Sequence, residues 1–110
     1  MIYIPLKTIS EANSNDHYRV KAKRKKMQRE MARKAMLAYG ITGKDITGPL
    51  VVKFVRIGKR TLDDDNLSSS FKAVRDGVAD ALGVDDGDER MRYHYGQRTG
   101  KEYAIEIGVM

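Results

Sequence analysis

The chain has 110 residues with a formal net charge of +6, and 41% of its residues are hydrophobic and 33% charged. This length leaves room for one domain, over residues 1–110, and excludes a two-domain enzyme. The lack of cysteine excludes disulfides and cysteine-bound zinc, and two histidines are too few for a histidine-rich site, so any metal needs oxygen ligands.

The first half of the chain predicts a strand, a long helix and a second strand. Residues 2–6 alternate apolar side chains with others, and Pro5 favours an edge position because it lacks a backbone N–H. A helix is predicted over residues 16–39, with Gly40 as its C-terminal stop. The apolar residues expected on one face of this helix are Val20, Met27, Met31, Ala35 and Ala38. Residues 50–57 form an apolar run that predicts a more central strand.

The second half predicts a helix, an acidic loop and two strands. Apolar residues repeat at helical spacing over residues 65–82, and Gly83 ends this helix. After the acidic loop, residues 91–110 predict two strands joined by a turn region between Gly96 and Gly100. The expected fold class is therefore α/β of the α+β type, with two main helices packed against a small mixed sheet of about four strands.

The charges are segregated along the chain. Residues 17–34 hold nine basic residues and one acid, whereas residues 63–89 hold nine acids and two basic residues. The basic helix favours contact with nucleic-acid phosphates. Carboxylates repel phosphate unless a divalent cation bridges the two, so the acidic segment indicates cation binding. The side chains expected to contact DNA are Arg19, Lys23, Arg24, Lys25, Lys26 and Arg29.

Candidate catalytic groups stand at both ends of the second helix. Asp63 and Asp65 mark its start, and Asp85 and Asp86 follow its end. Because this helix spans about 25 Å, the two groups meet only if the acidic loop folds back toward the helix start. Asp65 and Lys72 are expected two turns apart on one face. Mg²⁺ held by such carboxylates gathers a nucleophilic water at a phosphodiester, and a lysine ammonium stabilises the developing charge.

This part of the chain contains four short motifs: Leu62-Asp63-Asp64-Asp65-Asn66-Leu67, Lys72-Ala73, Asp76-Gly77 and Asp85-Asp86. In these motifs the chain resembles one known family, the RusA-type Holliday junction resolvases. The resemblance implies a homodimeric, Mg²⁺-dependent endonuclease that nicks four-way DNA junctions symmetrically. By position, it implies metal binding by Asp63, Asp65 and Asp86 and a catalytic role for Lys72. The supporting residues that it implies are Asp85, Asp76 and Asn66.

Other interpretations of the same residues stay open. Aspartates before a helix also cap free amides, and Lys72 with Asp76 also suits a surface ion pair, so one alternative is a non-catalytic, structure-selective DNA-binding module. A second alternative is a nuclease for other branched DNA or for RNA. No stretch reaches the roughly 18 to 20 apolar residues of a membrane span, and the N-terminus lacks the features of a secretory signal. We therefore expect a cytoplasmic protein without a membrane partner.

Overall fold

The computed structural model describes residues 1–43, 48–85 and 87–110. Its strands and α-helices in chain order are β1 (Ile2–Ile4), α1 (Tyr18–Ala38), β2 (Leu50–Gly58), α2 (Asp64–Ser70), α3 (Lys72–Leu82), β3 (Met91–Thr99) and β4 (Ala104–Val109). A short 3-10 turn, Glu11–Asn13, precedes α1. The mixed four-stranded sheet with helices confirms the predicted α+β fold class.

The strand order in the sheet is β1-β4-β2-β3. β2 runs parallel to β3 and antiparallel to β4, and β1 is antiparallel to β4. The predicted edge position of β1 and the inner position of β2 are confirmed. The two predicted C-terminal strands are confirmed, but the turn predicted to begin at Gly96 is wrong, and β2 lies between these strands in the sheet. Gly96 belongs to the ladder of β3, opposite Val55, and the chain turns only after Thr99.

The hydrophobic core lies between the helices and one face of the sheet. Phe54 at the centre of β2 stacks on Phe71, with ring centroids 5.1 Å apart, and on Tyr95 of β3 at 5.7 Å. The other large side chains that are fully buried in this core are Met36, Ile105, Ile107, Val52, Val74 and Val78. The helices that carry the candidate site residues are therefore anchored to β2 and β3.

The two predicted helix stops are confirmed. Gly40 follows α1 and Gly83 caps α3, with φ angles of 74° and 70°. This left-handed conformation favours glycine because it has no Cβ. After α3, the Val84 N–H donates to the carbonyl of Ala79 at 3.1 Å, which satisfies a terminal carbonyl of the helix. The acidic loop therefore begins at a well-defined point.

The helix α1 is confirmed, but its predicted apolar face is only partly packed: Met31 and Ala35 contact the core, and the fully buried residues lie on a neighbouring stripe. Its buried residues are Gln28, Ala32 and Met36. Val20 and Met27, which belong to the predicted face, are 50% and 49% exposed. The physical reason is the close approach of α3 at Gly77, where an added Cβ would lie 2.2 Å from the Arg29 carbonyl oxygen and 2.9 Å from Ala32 Cβ. The small residue Ala32 therefore faces α3, and the helix is rotated by roughly a quarter turn from the prediction.

The second predicted helix is divided into α2 and α3 at Phe71. The backbone of Phe71 has φ −95° and ψ 3°. The three serines before it, residues 68–70, each donate a side-chain hydrogen bond to the carbonyl three residues back, at 3.1, 3.2 and 2.7 Å. Such local hydrogen bonds compete with the helical ladder and bend helices. The buried Phe71 ring fixes the break over the sheet, so Asp65 and Lys72 belong to different helices.

Candidate functional site

Three exposed aspartates form the start of α2. Asp63 occupies the N-cap position, and Asp64 and Asp65 lie in the first turn. Asp63 makes no side-chain capping hydrogen bond. Within the described part of the chain, none of the three carboxylates has a hydrogen-bond or ion-pair partner. Side-chain capping therefore does not account for this acidic triplet, although negative charge there still complements the helix dipole.

Two side chains from the sheet hold the backbone that leads into the acidic triplet. Gln97 of β3 donates from Nε2 to the Leu62 carbonyl at 2.8 Å and accepts from the Leu62 N–H at 2.9 Å. Arg56 of β2 donates to the carbonyls of Arg60 at 2.8 Å and Thr8 at 3.2 Å. Arg56 is 5% exposed, and burial lowers its pKa. Both side chains therefore fix the chain immediately before the triplet.

The segment between β1 and α1 docks on the start of α2. Asn66 Oδ1 accepts hydrogen bonds from Ser10 Oγ at 3.1 Å and from Asn13 Nδ2 at 3.2 Å. The same segment is bound to α1, because Arg24 forms two contacts with the Glu11 carboxylate at 2.5 and 3.0 Å. These contacts place the basic helix and the acidic triplet on adjoining elements, and they give Asn66 a definite structural role.

The acidic loop after α3 carries two of the predicted metal ligands. Asp86 lies outside the described residues, so its predicted approach to the acidic triplet stays a prediction. Asp85 is exposed, and its carbonyl accepts from the Asp88 N–H at 3.0 Å. The Asp88 carboxylate accepts from the Arg90 side chain at 2.8 Å and from the Arg90 N–H at 2.9 Å, which lowers the pKa of Asp88 to about 2. Asp88 therefore stabilises the loop through Arg90.

The predicted metal site depends on which carboxylates the structure brings together. Among the described residues, no group of three or more histidine, cysteine, aspartate or glutamate side chains is arranged to hold a metal ion. Asp63 and Asp65 nevertheless offer carboxylate oxygens, and Mg²⁺ in enzymes commonly binds one or two carboxylates together with waters and substrate phosphates. The described residues therefore supply two exposed carboxylates, Asp63 and Asp65, that a site of that open kind could use.

Lys72 is the first residue of α3, and its side chain is 54% exposed. Its Nζ lies 3.0 Å from Asp76 Oδ1, an ion pair between residues four apart on the helix. Because the helix breaks at Phe71, the continuous face predicted to carry both Asp65 and Lys72 is interrupted. Lys72 instead lines depressions between α1 and α3 together with Lys25. The structure thus associates this lysine with the basic helix.

The six side chains predicted to contact DNA fall into different environments. Arg24 is bound to Glu11, as described above, and Arg29 pairs with Asp80, with 2.5 Å between Nε and Oδ2. The Arg29 guanidinium also lowers the pKa of Asp80. Arg19 donates to the hydroxyl of the preceding tyrosine at 3.3 Å. The remaining three, all exposed, are Lys23, Lys25 and Lys26. Arg24 therefore holds the 3-10 turn against α1, and Arg29 joins α1 to α3. The lysines form the open part of the basic surface.

Sequence reasoning misses the contacts that Gln97 and Arg56 make. The sequence did contain a signal for these two residues. Gln97 lies two residues after Tyr95 and Arg56 two residues after Phe54, so each shares a strand face with a core aromatic residue. A polar side chain at such a position needs a specific partner. The partner of Gln97 is 35 residues away in sequence, so the local pattern does not identify it.

The chain was compared with protein-family models, with curated proteins and with solved structures, and no match was found. No helix in the described ranges is long and apolar enough to cross a lipid bilayer.

We expect Gln97→Met to lower the free energy of unfolding by about 1–3 kcal/mol, because it keeps the side-chain size but removes both partners of the Leu62 backbone. Urea unfolding followed by circular dichroism measures this loss. Gln97→Glu keeps the acceptor for the Leu62 N–H but loses the donor to the Leu62 carbonyl. Its free energy of unfolding should therefore lie between those of the wild type and Gln97→Met. Equal stability of all three proteins would contradict the positioning role of this amide.

Proposed function

We propose that the protein is a magnesium-dependent, structure-specific endodeoxyribonuclease of the RusA type, which resolves Holliday junctions by symmetric phosphodiester hydrolysis. The observation that carries the proposal is the acidic triplet, Asp63 to Asp65, which is exposed and has no partner among the described residues. Three adjacent carboxylates repel one another and repel phosphate, and a bound divalent cation relieves both effects. A surface used only for DNA binding gains nothing from such a group.

In this proposal Asp63, Asp65 and Asp86 hold Mg²⁺, with Asp85 as a supporting ligand. The cation would supply an activated water and offset negative charge on the phosphoryl oxygens. Asp76 holds the Lys72 ammonium at 3.0 Å, which orients a positive charge on the first turn of α3. From there Lys72 would stabilise charge that develops on the phosphate during hydrolysis.

The position of the basic helix supports DNA as the substrate. Ser10 and Asn13, which precede α1, are hydrogen-bonded to Asn66 at the start of α2. Groups that attract phosphate and groups that bind a cation thus lie on elements held together directly. A homodimer would present two such sites related by a two-fold axis, which suits paired nicks in a four-way junction of matching symmetry.

A panel of DNA substrates tests the proposed function. We expect cleavage of a four-way junction in Mg²⁺ at a rate at least about tenfold above that of linear duplex, and no cleavage when Ca²⁺ replaces Mg²⁺, because Ca²⁺ binds oxygen ligands with looser geometry. The assay resolves the products on denaturing gels with each strand labelled in turn. Nicks at symmetric positions in opposing strands support the junction resolvase. Equal cleavage of flap, duplex, single-stranded DNA and RNA would instead indicate a less selective nuclease.

A non-catalytic, structure-selective DNA-binding module is the second candidate. The ion pair between Lys72 and Asp76 favours it, because the same contact also serves to stabilise a helix without any catalytic role. The same panel distinguishes the two functions. A binding module would retard the four-way junction on a native gel and leave every strand intact in Mg²⁺ at all protein concentrations.

A further inference from the structure

A groove with a volume of about 440 Å³ separates α1 from the helices that follow β2. Lys21 and Lys25 line it from α1, and Ser69 and Lys72 line it from α2 and α3. Of the six DNA contacts predicted from sequence, only Lys25 borders this groove. The groove is therefore a different surface from the outer face of the basic helix.

The position of both α1 lysines follows from the register of the helix. The buried residues Gln28, Ala32 and Met36 define the stripe of α1 that faces the core. Lys25 precedes Gln28 by three positions and Lys21 precedes it by seven, so both share that face. Near the N-terminus of α1, the side chains on this inward face are therefore lysines instead of buried residues. These lysines lie opposite α2 and α3.

The charges around the groove leave it positive. The Glu11 carboxylate is paired with Arg24 at 2.5 Å, and the Asp76 carboxylate with Lys72 at 3.0 Å. The ammonium of Lys21 donates to the backbone carbonyl of Glu11 at 2.9 Å, a group without net charge. Ammonium groups gathered on one groove repel one another, and an anion between them removes this repulsion.

The cationic lining continues on both sides of Lys72. One adjoining depression of about 400 Å³ is lined by Lys25, Lys26, Arg29 and Asp76, with Asp76 paired to Lys72 and Arg29 to Asp80. Another of about 400 Å³ is lined by Arg75 and Tyr95, and Lys72 borders both. The basic run along α1 from residue 21 to residue 29 rises about 12 Å, compared with 3.4 Å per nucleotide of one DNA strand. This length accommodates on the order of three phosphates.

We propose that this α1–α3 groove is the path of one DNA backbone, with Lys25 and Lys72 contacting its phosphates, and that Lys23 on the outer face of α1 makes no such contact. The lining residues and their charge support the binding of a polyanion along this groove. The choice of DNA as that polyanion rests on the proposed function. The proposal replaces a broad basic surface by a defined track that reaches the break between α2 and α3, where Ser69 and Lys72 line it.

The test measures binding and does not require cleavage. Fluorescence anisotropy of a labelled four-way junction and a labelled duplex, with Ca²⁺ in place of Mg²⁺, gives the dissociation constant at several salt concentrations. Lys25→Gln and Lys72→Gln are each expected to reduce the slope of log K against log salt by about 0.9, the value for one lost phosphate contact. Lys34→Gln, an exposed lysine near the end of the same helix, is the matched control and should leave the slope unchanged.

The salt dependence of binding by these variants either supports or overturns the proposed DNA path. A reduced slope for Lys25→Gln and an unchanged slope for Lys23→Gln support the groove. A larger loss for Lys23→Gln, equal losses for all lysine variants, or no measurable DNA binding overturn it. Strand cleavage in Mg²⁺ is measured separately on the same variants. A protein that binds through the groove but never cleaves rejects only the nuclease, and one that cleaves without dependence on Lys25 rejects only the groove.

Discussion

Asp65→Asn is expected to reduce the single-turnover rate of junction cleavage in Mg²⁺ by at least about 100-fold. Removal of a group that only supports a metal ligand typically lowers metal affinity or activity by about 10–100-fold, and removal of the ligand itself lowers it further. The fold should be unaffected, because the Asp65 side chain is exposed and has no partner among the described residues. Junction affinity measured without a divalent cation should stay constant or rise, because one negative charge near the phosphates is removed.

Asp64→Asn is the matched control for this variant. Asp64 lies in the same helical turn, is also exposed, and undergoes the same change of charge, but the proposal assigns it no ligand role. Its cleavage rate should remain within about threefold of the wild type, on the scale of a charge at a screened surface position. Equal losses in both variants would show that the total charge of the triplet matters rather than a specific ligand. Full activity of Asp65→Asn would remove the basis of the nuclease.

The elements predicted correctly are those specified by local patterns. Pro5 and the alternation around it indicate the edge strand, and Gly40 and Gly83 indicate where two helices end, because each effect depends on a residue's own backbone conformation. The start of the last turn was predicted wrongly at Gly96, because the partners of a strand are non-local and its length depends on them. Gly96 resembles a turn residue in sequence, yet in the sheet it lies opposite Val55 within a regular parallel ladder.

The face of α1 shows why hydrophobic periodicity alone was insufficient. Val20 and Met27 belong to the most apolar stripe, but about half of each side chain is exposed. The contact with α3 depends on small residues instead, since Gly77 leaves no room for a Cβ next to the Arg29 carbonyl. Close helix packing therefore selected the stripe that contains the small residue Ala32, and this rotation is what directs Lys25 into the groove.

The candidate site also contains some features that the sequence predicts and others that it does not. Its acidic triplet is contiguous in sequence, so the sequence alone identifies it, and the structure adds that Asp63 does not act as a side-chain cap. The groups that position the triplet come from distant strands. The partners of Gln97 and Arg56 could not be identified from sequence, because these side chains gain their roles only when β2 and β3 pair. Lys72 was assigned to the same helix face as Asp65, and the break at Phe71 was not expected from apolar periodicity.

Phe71→Ala is expected to lower the free energy of unfolding by about 3–5 kcal/mol, the usual cost of removing a buried phenylalanine ring. Phe71 is fully buried, and its ring centroid lies 5.1 Å from that of Phe54 and 5.9 Å from that of Tyr95. A domain of this size has a total stability of about 5–15 kcal/mol, so the variant should unfold at a melting temperature lower by roughly 10–20 °C. Urea and thermal unfolding measure both quantities.

The same substitution also tests whether the break between α2 and α3 organises the site. Phe71→Leu retains most of the buried apolar volume and is expected to lose about half as much stability or less. At a temperature where Phe71→Ala is still folded, its junction cleavage should fall further than its folded fraction, because the ring that sets Lys72 relative to the acidic triplet is gone. Cleavage that follows the folded fraction in both variants would mean that Phe71 contributes only to stability.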